Sequence, residues 1–203
     1  MDETQELQAS KRRRGRPKKG EEARVDQCTP QEVVDGLLRL WPDGADLDPA
    51  SNVHSIVPAR QHVLLPDYAQ SKGLSDWPED RLRLAGIVIG DGLTLPWSGK
   101  VYVNPPYARG ANEAWASKID TSASEGCEIV ALVQWSHGSS WWRRLIARST
   151  AQCHVDHRLQ FLFDGEPMKN GANFDVAVLY YGAAVDAFAD AFKPLGGIYT
   201  RIR

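Results

Sequence analysis

The run Lys100-Val101-Tyr102-Val103, followed directly by Asn104-Pro105-Pro106-Tyr107, limits how this chain can fold more than any other stretch. The first four residues favour a buried strand. Two consecutive prolines end it, because proline has a fixed φ and no amide hydrogen for a ladder. In open α/β sheets, ligands bind beyond the carboxyl ends of strands. The segment therefore predicts a strand that presents a rigid polar loop to a ligand.

Strand-like and helix-like segments alternate along the rest of the chain. Thr29 suits a helix N-cap and Pro30 the first helical position, while residues 52 to 85 show no clear pattern. The predicted strands cover residues 45–49, 87–89, 100–103, 128–133, 158–163 and 174–181, and the predicted helices cover residues 30–41, 111–124, 141–147 and 186–192. Alternation with short links predicts an α/β fold with helices on both faces of a mostly parallel sheet.

Charge is distributed unevenly along the 203 residues, of which 42% are apolar. The first twenty residues hold seven Lys/Arg against three Asp/Glu, a net +4, and the remaining 17 basic and 23 acidic residues give −6. Residues 1 to 25 have almost no large apolar side chains, so we expect a disordered basic arm followed by one domain over 26 to 203. Three unpaired cysteines and the lack of a signal-like or membrane-spanning run favour a cytoplasmic location.

The arm contains a compact basic motif. Arg14-Gly15-Arg16-Pro17, followed by Lys18 and preceded by further Lys and Arg, resembles an AT-hook. In such a strip glycine allows close approach, the arginines follow the narrow minor groove of A·T-rich DNA, and the lysines meet phosphates. A solvated charge run or a nuclear localisation signal has the same composition. The arm indicates a polyanion partner, and DNA is the partner we expect.

The polar loop suits chemistry on an exocyclic amino group. An adenine N6 amine gains positive charge as it attacks a methyl donor, so two acceptors aimed at its hydrogens stabilise the transition state. Asn104 can offer its side-chain oxygen and Pro105 its carbonyl, while Pro106 keeps the turn rigid. Tyr107 would stack on a base that has left the duplex. A proline-rich strand terminator with a surface tyrosine is the simpler interpretation.

Several motifs together resemble the phage-type DNA N6-adenine methyltransferase family, relatives of the Dam enzymes. The likeness covers roughly residues 29 to 182. It includes Thr29-Pro30, Asp46-Leu47-Asp48-Pro49-Ala50-Ser51, Asp91-Gly92-Leu93, Trp97-Ser98-Gly99, the Asn-Pro-Pro-Tyr loop, Trp115, and the strands at 129–133 and 174–181. The resemblance implies a Rossmann-like class I sheet that binds S-adenosylmethionine, and site-specific methylation of adenine N6 in DNA.

The same resemblance implies a set of cofactor-binding residues. Thr29, next to Pro30, would lie near the methionine carboxylate; Asp48 with Pro49, or Asp46, would lie near the amino group; and Asp91 would contact the adenosine. Helix capping and turn formation explain these residues almost as well. Ser51-Asn52 departs from the family pattern, because many methyltransferases place glycines here to let backbone approach the cofactor.

Trp142 and Arg143, within Trp141-Trp142-Arg143-Arg144, are candidate DNA contacts because they combine stacking surface with positive charge. The alternative is that one tryptophan packs in the core and both arginines face water.

Other function classes stay open. The chain could be a DNA-binding protein on a degenerate methyltransferase scaffold, or an amino-group methyltransferase acting on RNA or on protein glutamine. A metal-dependent nuclease, suggested by Cys153-His154-Val155-Asp156-His157, is disfavoured because no second cluster completes a metal site.

Overall fold

The computed structural model of the protein describes residues 27–107, 110–163, 166–167 and 174–201. Its helices are α1 (Gln31–Leu40), α2 (Pro66–Ser71), α3 (Glu79–Leu84), α4 (Ala111–Ser124), α5 (Ser140–Arg148) and α6 (Val185–Phe192), with a 3-10 turn at Lys193–Leu195. Its strands are β1 (Gln27–Cys28), β2 (Ala45–Asp48), β3 (Ala59–Leu64), β4 (Ile87–Ile89), β5 (Lys100–Val103), β6 (Glu128–Gln134), β7 (Ala151–Val155), β8 (Leu162–Phe163), β9 (Glu166–Pro167), β10 (Val176–Tyr181) and β11 (Gly196–Thr200).

Eight strands form one mixed sheet in the order β11-β7-β10-β6-β5-β2-β3-β4. The four pairings from β6 to β4 are parallel, and the three that join β6, β10, β7 and β11 are antiparallel. The predicted α/β class is confirmed, and the parallel half carries the loop at residues 104–107. The strands β1, β8 and β9 form a separate small antiparallel sheet.

Helices cover both faces of the large sheet, as predicted. The apolar stripe of α1 packs with α6 against one face, and α4 and α5 pack against the other. Alternate residues of β5 divide between these cores: Tyr102 belongs to the first, and Val101 and Val103 to the second. This period-two division is what a strand buried on both faces requires.

Two local predictions are wrong. Thr29 does not cap α1: Pro30 occupies the N-cap position, and the Thr29 hydroxyl lies 2.9 Å from the hydroxyl of Tyr102. Buried polar atoms need partners, and Tyr102 supplies one from the sheet. Residues 158–163, which include Leu159 and Phe161, were predicted to form a strand. Both side chains are buried, but strand pairing is limited to the two residues of β8.

Candidate functional site

The sheet changes direction between β2 and β5, and a cleft opens at that point. From β2 the chain builds outward through β3 to β4, then crosses back to place β5 on the other side of β2. Such a reversal leaves a crevice at the carboxyl ends of the strands, which is where open α/β sheets bind ligands. The cleft is lined by Pro49, Ala50, Ser51, Val63, Leu65, Gly90, Asp91, Gly92, Asn104, Pro105, Pro106, Tyr107 and Trp115.

All four residues of the predicted catalytic loop line this cleft. Pro105 is buried, while the other three are partly buried. The hydroxyl of Tyr107 lies 2.9 Å from Asn104 Oδ1 and 3.2 Å from the carbonyl oxygen of Leu132 on β6. The loop is therefore tied both to itself and to the neighbouring strand.

Tyr107 is held by aromatic packing as well as by hydrogen bonds. Its ring contacts Phe174 and Phe161 edge to face, with centroids 5.0 and 6.1 Å away. Burial raises the pKa of Tyr107 above its ordinary value. The hydroxyl therefore stays protonated at neutral pH, and it has a single hydrogen to donate.

The loop after β2 contributes the opposite wall. Asp48 is buried and serves this loop: its Oδ1 accepts the Ala50 N–H at 3.2 Å, and its Oδ2 accepts the Ser55 hydroxyl at 3.4 Å. The Ser51 hydroxyl lies 2.9 Å from His62 Nδ1, and that nitrogen is 3.8 Å from Asp48 Oδ2. Pro49 and Ser51 reach the cleft, whereas the Asp48 carboxylate organises the loop beneath them.

Ser51 and Asn52, which replace the expected glycines, are both buried. The Ser51 N–H donates to the Val63 carbonyl at 3.1 Å. Asn52 Oδ1 accepts the His54 N–H at 2.9 Å and the Cys28 thiol at 3.2 Å. Small polar side chains thus fold inward and support the loop, and the thiol contact holds the segment before α1 beside it.

Asp46 and Asp48 share a strand but are placed differently. Asp46 Oδ2 accepts the Lys100 N–H at 2.8 Å, and its Oδ1 lies 3.4 Å from Arg60 Nε. Lys100 begins β5, so these contacts lie at the amino end of that strand, away from the predicted catalytic loop. The structure therefore separates Asp46 from the cleft.

Asp91 and Gly92 bring the loop after β4 into the cleft. Asp91 Oδ1 accepts the Leu93 N–H at 2.9 Å, which forms a tight turn. A Cβ on Gly92 would collide with the carbonyl oxygen of Pro49, so the two loops touch through backbone. Trp97, buried against this turn, donates its indole N–H to the Gly92 carbonyl at 2.8 Å.

The DNA-contact prediction for Trp142 is wrong, and that for Arg143 is untested. Trp142 is only 2% exposed and packs in the core beneath α5, because it lies on the apolar face of that helix. Arg143 is exposed, with its guanidinium 3.4 Å from the Gly138 carbonyl. Arg14, Gly15, Arg16, Pro17 and Lys18 of the predicted arm lie outside the described residues.

The residues of the Cys153–His157 motif contact different parts of the protein. Cys153 is buried under α6, and its thiol lies 3.4 Å from the Phe192 carbonyl. His154 faces the other side of β7, as strand alternation requires. His157 contacts Glu32 on α1. Among the described residues, no three His, Cys, Asp or Glu side chains form a group suited to a metal ion.

Sequence reasoning missed His62, which sits beneath the cleft, and the apolar pair Val63 and Leu65, which lines it. All three lie in the segment that showed no clear pattern. The run His62-Val63-Leu64-Leu65 is the apolar signal that could have identified β3.

Comparisons with known proteins add little to this geometry. No protein-family model matches the chain, and no curated protein is significantly similar to it. The solved structure of the precorrin 8W decarboxylase of Methanobacterium thermoautotrophicum aligns with 76% of this chain and 91% of its own, at 13% identity and a TM-score of 0.38. A likeness this weak carries no argument about function. Of the described helices, none is long and apolar enough to cross a membrane.

Proposed function

We propose that the protein is an S-adenosylmethionine-dependent DNA methyltransferase that acts on the N6 amino group of adenine. The observation that carries this proposal is the placement of Asn104-Pro105-Pro106-Tyr107 along the cleft where the sheet changes direction. The strand order supports a Rossmann-like class I methyltransferase sheet. Its parallel half is followed by β10, which runs antiparallel between β6 and β7, the arrangement expected of the seven-stranded methyltransferase type.

The residues opposite the catalytic loop fit a nucleoside-bearing cofactor. Val63 and Leu65 offer apolar walls for a purine, and Asp91 offers a carboxylate suited to ribose hydroxyls. Pro49 and Ser51 would flank the remainder of the molecule. Asp46 is not part of the proposed cofactor site, because it contacts Lys100 instead. Asp48 would act indirectly, by holding the loop that carries Pro49 and Ser51. When bound, S-adenosylmethionine supplies an electrophilic methyl group.

Thr29 and Pro30 would act as the border of the cofactor site. Both are buried in the segment before α1, which the contact between Cys28 and Asn52 holds against the loop after β2. The hydroxyl of Thr29 forms a hydrogen bond with the hydroxyl of Tyr102.

Asn104 and Pro105 would accept hydrogen bonds from the adenine amine. The hydroxyl of Tyr107 has one hydrogen and two oxygen neighbours, Asn104 Oδ1 and the Leu132 carbonyl. If the side-chain amide of Asn104 is rotated by about 180°, its oxygen and NH₂ exchange places. The NH₂ then donates to the Tyr107 hydroxyl, and that hydroxyl donates to the Leu132 carbonyl, so each of the three groups has a partner. Amide orientation is assigned from such networks. In this arrangement the Asn104 oxygen is directed to the substrate amine.

The two acceptors would act by electrostatics rather than by removing a proton before attack. As the N6 nitrogen bonds to the methyl carbon, the carbon–sulfur bond of the donor breaks and S-adenosylhomocysteine is the leaving group. The nitrogen becomes positively charged, and oxygen dipoles aimed at its hydrogens would stabilise that charge. The proton leaves to water afterwards, so the loop needs no ionisable base.

Asn104→Ala tests the proposal. We expect methyl transfer from tritiated S-adenosylmethionine to adenine-containing duplex DNA to fall at least about 100-fold, as when one preorganised polar group is lost. Cofactor binding by calorimetry should change little. Gln61→Ala, which removes an exposed amide on β3, is the matched control and should leave both unchanged. Absence of transfer by the unmodified protein to DNA, with label found instead in RNA or protein, would reject DNA as the substrate.

A further inference from the structure

Four rings form a continuous strip beyond the cleft: Trp135, His137, His154 and Tyr199, hereafter the aromatic strip. The Trp135 centroid lies 4.8 Å from that of His137 and 4.3 Å from that of His154. The His154 and Tyr199 centroids are also 4.3 Å apart, with the rings tilted by 32°. The adenine-binding function proposed above does not use these residues.

The strip is partly covered at one end, where Trp142 of α5 packs against Trp135 and His137 with ring centroids 6.4 and 6.3 Å away, and it is open at the Tyr199 end. Tyr199, on the edge strand β11, is 56% exposed, and His137 is also exposed. The rings of Trp135 and His154 are partly buried. The Tyr199 ring lies over Gly197, where a Cβ would be 3.2 Å from it. Proteins commonly guard sheet edges with charges or proline. At the edge strand β11, the aromatic ring of Tyr199 is exposed instead.

The strip is continuous with the proposed catalytic site. Trp135 directly follows β6, the strand that pairs with β5, and the Asn104 loop follows β5. The hydroxyl of Tyr107 in that loop contacts the Leu132 carbonyl of β6, on the same strand that leads to Trp135. At ~4.8 Å between neighbouring strands, β11 lies ~19 Å from β5. That distance matches about five or six nucleotides at ~3.4 Å each.

The chemistry of the strip suits a nucleobase ligand better than an aliphatic ligand. Its edges carry two imidazoles and a phenol, whereas the Trp135 N–H is buried without a hydrogen-bond partner among the described residues. Arg143 is exposed and lies beside Gly138, close to the His137 end. Burial, and then His137, lowers the pKa of His154, so its imidazole is neutral at pH 7 and contacts a partner by stacking.

We infer that the aromatic strip binds unpaired bases of the DNA strand next to the extruded adenine. This inference rests on the proposed function and concerns DNA that is unpaired beside the target adenine, because extrusion of one nucleotide from a duplex leaves its neighbours paired. Aromatic side chains stack on unpaired bases without reading sequence. The strip would hold the opened strand along the sheet, from the catalytic loop toward β11.

Paired substitutions at Tyr199 test the inference in the full chain. Tyr199→Ala should weaken binding to a fluorescent duplex with an unpaired stretch beside the adenine by about tenfold, as expected when one base loses its aromatic partner. Tyr199→Phe keeps the ring and should bind as the unmodified protein does. Leu84→Ala removes a side chain that is 85% exposed on α3, beside the opposite edge strand β4, and should have no effect.

Salt dependence distinguishes stacking from phosphate contact. Stacking releases no counterions, so the slope of log Kd against log salt should be the same for Tyr199→Ala and the unmodified protein. A second measurement uses 2-aminopurine placed about five or six nucleotides from the target adenine, where the strand would reach Tyr199. Its fluorescence should be quenched by the unmodified protein and restored by Tyr199→Ala. Circular dichroism melting checks that the variants are folded.

Opposite results separate the two proposals. If the protein methylates DNA and Tyr199→Ala binds as tightly as Tyr199→Phe, the strip is not a DNA surface and the proposed function stands. If Tyr199→Ala weakens DNA binding but no methyl group reaches DNA, the proposed function fails. Weakened binding to RNA with unchanged binding to DNA also overturns the inference.

Discussion

The hydroxyl group of Tyr107 contacts both Asn104 in the same loop and the Leu132 carbonyl on the neighbouring strand β6. Tyr107→Phe keeps the ring in its contacts with Phe161 and Phe174 and removes only this group. A single hydrogen bond contributes about 0.5–1.5 kcal/mol, so we expect the single-turnover rate of methyl transfer to fall about two- to tenfold. The Kd for S-adenosylmethionine should be unchanged.

Tyr181→Phe is the matched control for that experiment. Tyr181 is also buried, and its hydroxyl donates to the Leu145 carbonyl of α5 at 3.1 Å, away from the cleft. Its loss should lower stability by a similar amount and leave the methyl-transfer rate intact. Equal loss of rate in both variants would assign the effect to folding rather than to the orientation of Asn104.

Gly92 allows the loops after β2 and β4 to touch. Gly92→Ala places a methyl group against the Pro49 carbonyl, and backbone cannot yield as a flexible side chain does. We expect a loss of about 1–3 kcal/mol in the free energy of unfolding, as for overpacked sites, together with weaker S-adenosylmethionine binding. Calorimetry and chemical denaturation measure the two effects. Gly138→Ala, which meets open space, should change neither.

At the scale of elements, His157 connects the segment after β7 to α1. Its Nε2 lies 2.8 Å from Glu32 Oε2, and its Nδ1 lies 3.1 Å from Asp156 Oδ1. Hydrogen bonds to Asp156 and then to Glu32 raise the pKa of His157. A raised folded-state pKa stabilises the protein fully below the unfolded value of about 6.5, and this contribution is lost as pH rises through the folded value.

We therefore expect His157→Gln to lower the free energy of unfolding at pH 5.5 and to have progressively less effect toward pH 8.5. The side chains of His157 and Glu32 are 40% and 37% exposed, so solvent screening limits the effect to about 1 kcal/mol or less. Urea denaturation at several pH values measures it. A difference that grows with pH would contradict the proposed charge pairing.

Elements with strong local patterns could be predicted, and those defined by pairing could not. The helix over residues 111–124 was predicted to the residue, since Trp115 and Ile119 mark its buried face. The strand β7 was missed because the polar residues Gln152 and His154 interrupt its apolar residues. The strand β11 was missed because Gly196-Gly197 resembles a loop, and β7 holds it in place by pairing.

At the scale of the whole molecule, the candidate site depends on strand order, which no local pattern contains. The loop at residues 104–107 was recognisable as a candidate because its residue types suit chemistry on an amino group. Asp46 and Asp48 are equivalent in sequence, and only the contact of Asp46 with Lys100 shows which end of the sheet each serves. Pro49 and Gly92 are far apart in the chain, so their contact follows from the parallel sheet rather than from either segment.

The distribution of charge over the chain leads to a prediction about DNA affinity. The first twenty residues carry +4 and the remainder −6, so the domain alone would repel a polyanion. Residues 1–24 hold eight Lys/Arg and five Asp/Glu, a net +3. Removing them should weaken binding to A·T-rich duplex DNA and reduce the slope of log Kd against log salt by about three, since each neutralised phosphate contributes ~0.9. Cofactor binding should be unaffected, because the cleft is built from residues 49–115.

A second variant distinguishes a minor-groove contact from charge alone. Gly15→Val and Pro17→Ala together keep every cation of the arm but remove the small residue that allows close approach to the groove floor. We expect the preference for A·T-rich over G·C-rich duplexes to disappear while the salt slope stays the same, in fluorescence anisotropy titrations. A retained preference would reduce the arm to a charged tether, and an unchanged slope after deletion of residues 1–24 would remove it from DNA binding altogether.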